Sequence, residues 1–215
     1  MIIPSRHSTL RDAARAQVIE VATRLFHTQG IKNVTMDDIA HALTMSKRTL
    51  YQIFADKEDL LLACVVKHDE AEHERMSRLV AETDNVLDCM LTNFAMKMQE
   101  NGDIKPSFFA EIVKYPKVMS HIEQCQREQE EEAVEFLNRG KEQGLFRPDV
   151  NFHIIYKQLI AGINSVLNDK GMVSYSQREI FANTLLVYLR GCATLRGIEL
   201  IDNFLLQFHA KLGFD

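Results

Sequence analysis

Between Thr35 and Leu60 the 215-residue chain reads T-M-D-D-I-A-H-A-L-T-M-S-K-R-T-L-Y-Q-I-F-A-D-K-E-D-L, interleaving hydrogen-bonding side chains with apolar ones. Lys47, Arg48, Thr49, Tyr51 and Gln52 stand almost consecutively, with Ser46 before them and Thr35 and Lys57 on either side. A guanidinium pairs bidentately with guanine and a carboxamide with adenine, which makes Arg48 and Gln52 candidate base readers. Hydroxyls and an ammonium suit phosphate oxygens instead, so Thr35, Ser46, Thr49, Tyr51 and Lys57 are candidate backbone contacts, and Lys47 completes the set. Arg6, Arg11 and Arg15 are further cations that an N-terminal arm would bring to phosphates. Several of these residues have a plainer duty open to them. Thr35, Ser46 and Asp56 suit helix caps, and Tyr51 suits half-buried packing. Arg48 and Gln52 have no such structural duty.

Other chemistry is not spelled out. There is no glycine-rich phosphate loop, no G-x-S-x-G and no H-E-x-x-H, and the expectation is a protein that is not an enzyme and carries no cofactor. His68 and His73 are five residues apart, wrong for two ligands on one helical face, and Glu128 to Glu132 reads as a solvated run. Cys64, Cys89, Cys125 and Cys192 lie tens of residues apart without a C-x-x-C, so they read as reduced, mostly buried apolar residues and no metal is expected.

The elements that carry the polar stretch are helices. Val18, Val21, Ala22, Leu25 and Phe26 recur at helical spacing before Gly30, predicting a helix over about 10–29. Thr35 caps a short helix over 36–43, Ser46 another over 47–54, and Asp56 a longer one over about 57–81. Only Thr44, Met45 and Ser46 separate the two short helices, a link that suits a sharp corner rather than an antiparallel hairpin. Further stripes predict helices from Val86 to Asn101-Gly102 and over about 106–115, 117–143, 152–169, 177–196 and 199–212.

The stretch resembles the helix-turn-helix of the TetR family of bacterial transcriptional regulators. Thr35, Ile39, Ala40, Ser46, Thr49, Leu50, Tyr51, Phe54, Lys57, Glu58 and Leu60 fall in register with the family pattern. The sequence departs from it at Leu43, at Arg48 in place of a frequent glycine, and at Thr44 in place of the turn glycine, where a β-branched residue at positive φ would be strained. The resemblance implies an all-α fold of about nine to ten helices, with a three-helix DNA-binding domain over 1–56 and a ligand-binding and dimerisation domain over 57–215. It supports phosphate roles for Thr35, Tyr51 and Lys57. It also implies a homodimer that binds double-stranded DNA at a palindromic site as a repressor and answers to a small hydrophobic or amphipathic effector. The rival reading, supported by Thr44, is a helical small-molecule-binding or adaptor protein that does not bind DNA.

Within the larger domain, Phe94, Met98, Phe108, Phe109, Ile112, Met119, Ile122 and Tyr156 would line an apolar pocket or serve as plain core, and such stripes are more often core. The helices over 152–169 and 177–196 are apolar almost all round and need a second partner. The resemblance makes them the dimer bundle, with Leu159, Gly162, Ile163, Val166, Leu185, Tyr188, Gly191 and Cys192 as candidate interface residues.

Composition sets the bounds. Hydrophobic residues make up 46% of the chain, enough for a sizeable core, and 9 Gly with 4 Pro is thin punctuation for a β-sandwich. Net charge is -5, which on its face disfavours a polyanionic partner. The charge is uneven, however: residues 1–60 hold 8 Lys+Arg against 7 Asp+Glu, so the acidity belongs to the rest. The longest apolar run, Leu60 to Val66, falls far short of the ~18 residues of a membrane span, and no signal-peptide core follows Met1, so a cytoplasmic protein with no membrane partner is expected.

Overall fold

The computed structural model describes residues 6–100, 104–168, 175 and 177–212, and in them the chain forms eleven helices and no strand. In order these are α1 (Arg6–Gln29), α2 (Met36–Ala42), α3 (Lys47–Ile53), α4 (Lys57–Glu82), α5 (Val86–Glu100), α6 (Pro106–Ile112), α7 (Pro116–Glu128), α8 (Glu130–Glu142), α9 (Phe152–Asn168), α10 (Gln177–Cys192) and α11 (Leu195–Leu212). The all-α class expected from the sequence holds.

The predicted helix over 117–143 is two helices, which brings the count to eleven, and the boundary between the last two helices lies earlier than expected. The predicted helix over 117–143 is broken at Gln129, which keeps right-handed helical angles (φ -86°, ψ -9°), so the interruption is one residue wide. It falls inside the acidic run, where Glu128 and Glu132 sit four residues apart and repel. The predicted helix over 177–196 stops at Cys192 because Thr194 starts the next one: its hydroxyl accepts the Gly197 N–H at 3.2 Å, an N-cap. That junction is held by the Thr194 N–H on the Leu145 carbonyl (2.9 Å) and by an isolated antiparallel bridge between Phe146 and Ala193. Gly197 is required there, because a Cβ would collide with the Leu145 carbonyl oxygen.

The chain divides into two compact units, Met1–Glu70 with Asp103–Ile122, and Ala71–Gly102 with Glu123–Asp215. The expected boundary at residue 56 thus falls inside the first unit. The reason is packing: Val18, Phe26, Ile31, Ile39, Leu50, Leu60 and Leu61 share one apolar cluster with Phe108, Ile112 and Val118. Polar bonds reinforce it. The Lys105 N–H donates to the His27 carbonyl (2.9 Å), Glu111 accepts the Lys32 N–H (2.7 Å), and Glu58 accepts the Lys117 N–H (2.8 Å). The His121 ring and the Asp69 carboxylate add a pair at 2.9 Å.

In the second unit the cluster comprises Val86, Leu87, Leu91, Val134, Leu145, Phe146, Phe152, Leu189, Cys192, Ala193 and Ile201. Here α8 and α10 pack on α9, and α5 packs on α8 and α11. Phe94 and Met98 form a smaller cluster with Ala95, Leu185 and Phe204.

Candidate nucleic-acid interface

The two short helices are fixed at their ends by local hydrogen bonds. Thr35 opens α2 with a complete capping box: its hydroxyl accepts the Asp38 N–H (3.2 Å), and the Asp38 carboxylate accepts the Thr35 N–H (2.8 Å) and hydroxyl (2.6 Å). Those bonds hold the Asp38 carboxyl below the usual carboxylate range. Ser46 opens α3, its hydroxyl accepting the Thr49 N–H at 3.1 Å and lying 2.7 Å from the Thr49 hydroxyl. The plain structural duty anticipated for Thr35 and Ser46 is therefore real, and Asp56 likewise accepts the Asp59 N–H (2.8 Å) at the start of α4.

Between α2 and α3 the backbone turns through Thr44, the one non-glycine residue at positive φ (52°) among the described residues. Its N–H donates to the His41 carbonyl (3.0 Å) and the Met45 N–H to the Ala40 carbonyl (2.9 Å). With Leu43 as C-cap, these two bonds make a full Schellman motif. The corner is the ordinary one, and the strain of a β-branched residue is carried rather than avoided.

The corner sets α3 with Leu50 fully buried and its other face in solvent. Arg48 and Gln52, one turn apart, are both exposed, and neither side chain has a hydrogen bond or ion pair among the described residues. Tyr51 is 43% exposed, too much for a core aromatic. Lys47 lies on the same strip as Tyr51, its ammonium 6.0 Å from the ring centroid. The Asp37 carboxylate takes that ammonium at 2.8 Å and raises its pKa, a partner the sequence reading missed. Opposite charges ten residues apart, on either side of a three-residue corner, were the available signal.

Lys57 opens α4 and is half-buried; burial lowers its ammonium pKa, and the Glu111 and Asp38 carboxylates act in the other direction. Two of the arm arginines serve α3 from behind. Arg11 donates to the Gln52 carbonyl at 3.3 Å, and the Arg15 guanidinium stacks 5.0 Å above the Phe54 ring. The side chain of Arg6 lies outside the described residues.

The apolar candidates fall in different places. Phe108 and Ile112 belong to the first unit's core, with Phe109 and Ile122 packed against it. Phe94 and Met98 are buried in the second unit, and Met119 is half-buried. Tyr156 packs on the second unit's core and donates to the Gln126 carbonyl at 3.0 Å, with burial raising its phenol pKa. Of the interface candidates, Leu159, Gly162, Ile163, Leu185 and Tyr188 are half-buried and Gly191 is exposed, while the side chain of Val166 lies outside the described residues. Cys192 is turned into its own unit's core, because α10 ends there against Phe146 and Leu145, and it offers no surface to a partner. The sequence reading missed Ile154 and Val187, which are 58% and 65% exposed on the same two helices.

A capped three-helix head with an exposed strip of cation, carboxamide and phenol on its last short helix defines a helix-turn-helix, DNA-binding transcriptional regulator. Residues 18–64 match the family model for bacterial regulatory proteins, tetR family. In this chain the match runs from within α1 through α2 and α3 to the first turns of α4. Its curated relatives include the HTH-type transcriptional repressor KstR2 of Mycobacterium tuberculosis, 25% identical over 152 residues that cover 68% of this chain and 76% of the relative. Among solved structures, a TetR-family transcriptional regulator from Agrobacterium tumefaciens has a TM-score of 0.67 at 13% identity, covering 86% of this chain and all of the other. A regulator from Saccharomonospora viridis solved in complex with choline has a TM-score of 0.61 at 19% identity, covering 80% and 96%. No described helix is long and apolar enough to cross a membrane.

Proposed function

We propose that the chain is a ligand-responsive repressor that binds a palindromic operator as a two-fold dimer and acts in the cytoplasm. Two copies of α3 would enter successive major grooves, with half-site centres about 34 Å apart. The observation that carries the reading is the exposed pair Arg48 and Gln52 on a helix fixed at both ends by its neighbours. Arg48 and Gln52 read bases; Thr35, Ser46, Thr49, Tyr51 and Lys57 contact phosphates. The exposed Ile154 and Val187, with open space around Gly162 and Gly191, support a dimer through α9 and α10. The choline complex of one structural neighbour supports a small amphipathic effector for the larger unit. No catalytic step or cofactor is assigned.

Selection from random duplexes tests the reading. The expected result is an enriched palindrome whose affinity falls with salt and weakens by about 1 to 3 kcal/mol in Arg48→Ala. Light scattering is expected to give a dimer. Absence of any enriched site, or a selected site indifferent to both Arg48→Ala and Tyr51→Ala, refutes it. The rival reading without DNA binding drew its support from Thr44, and the complete cap around that residue removes the support.

A further inference from the structure

Asp37 stands at the second position of α2, beside a cap that Thr35 and Asp38 complete without it. Its carboxylate reaches across the corner and takes the Lys47 ammonium on both oxygens, at 2.8 and 3.0 Å. Lys47 is the first residue of α3, where the helix backbone already concentrates positive potential, so its own helix repels the charge and α2 supplies the counter-charge. Both groups are well exposed, 61% for Asp37 and 59% for Lys47. A carboxylate on a face turned toward phosphates weakens binding to every duplex, and α2 is already acid-capped by Asp38. What remains for Asp37 is the cation it holds.

We infer that Asp37 is a specificity-determining positioning residue: its carboxylate occupies Lys47 in the free protein and yields the ammonium to phosphate only where base contacts draw α3 fully into the groove. This rests on the DNA-binding role of α3. Random DNA, which gives backbone contacts alone, meets the protein with Lys47 occupied. A cognate site, engaging Arg48 and Gln52, brings phosphate close enough to compete with the carboxylate. Neutralising Asp37 therefore strengthens random binding more than operator binding and narrows the ratio between them.

The experiment is fluorescence anisotropy of the full chain on its selected operator and on a scrambled duplex of equal length, between 50 and 200 mM salt. In Asp37→Asn the salt slope on scrambled DNA is expected to steepen by about 0.9, one extra phosphate, or roughly threefold more affinity lost across that range. The operator slope stays as in the wild type. Asp37→Glu keeps the wild-type slopes, and in a Lys47→Ala background Asp37→Asn changes no slope. An unchanged scrambled-duplex slope in Asp37→Asn overturns the inference. So does an equal steepening on the operator, or the same steepening without Lys47. If the wild type selects no operator, the DNA-binding reading fails first and takes the inference with it.

Discussion

Replacing Thr44 with glycine is expected to stabilise the head. Thr44 has φ 52°, and a left-handed conformation costs an L-residue roughly 1 to 2 kcal/mol. Glycine removes that cost but returns about 0.5 to 1 kcal/mol through the freedom it gains in the unfolded chain. Taking the middle of each range, the net gain is about 0.75 kcal/mol. Nothing opposes it locally: the two bonds that close the corner run from the Thr44 and Met45 N–H groups, which glycine leaves in place, and the threonine side chain is exposed. In a chain of this size about 2 to 4 °C accompanies each kcal/mol, so the midpoint should rise by about 1.5 to 3 °C, with the urea midpoint rising at unchanged slope. Thr44→Ala separates the causes, because it removes the β-branch and keeps the Cβ; it should recover less than glycine does. A Thr44→Gly variant as stable as the wild type or less so, measured by circular dichroism in urea, would refute the strain argument.

Two further outcomes follow from the packing. Gly197→Ala places a Cβ on the Leu145 carbonyl and should destabilise the second unit by about 1 to 3 kcal/mol, seen as a lower urea midpoint; a neutral result would show that the α10–α11 junction yields. His27 is edge-on to Phe108 at 4.8 Å, and its pKa is lowered by burial and then by the charge of His68. A folded pKa below the unfolded value of 6.5 means that the unfolded chain binds the extra proton, so stability should fall as pH drops below about 6.5. His27→Gln should flatten that part of the profile, and an unflattened profile would place the proton elsewhere.

What was legible in the sequence was local. Thr35, Ser46 and Asp56 announce their helices because a cap is written within four residues, and the polar face of α3 follows from the burial of Leu50 alone. Thr194 was passed over because the apolar stripe from Leu185 to Leu195 runs straight past it, and the bond that fixes the junction there, from its N–H to the Leu145 carbonyl, reaches far along the chain. The unit boundary was illegible for the same reason. Phe108, Ile112 and Val118 have the spacing of any core stripe, and only the folded chain shows that their partners are Phe26, Ile31 and Leu61. Asp37 escaped notice because its partner lies on another helix.

The way residues 104–122 close over the helix-turn-helix bears on how such a protein can be taken apart. A fragment ending at residue 56 would lose Leu60 and Leu61 themselves, and one ending at residue 70 would keep them but leave them and Ile31 without Phe108, Ile112 and Val118; either would leave the Lys32 N–H without Glu111. The reader of DNA in this chain is not a cassette. Grafting it onto a foreign body, or exchanging it between relatives, means carrying a second, discontinuous stretch of sequence along with it, and chimaeras cut at the apparent motif boundary are expected to aggregate rather than to acquire a new specificity.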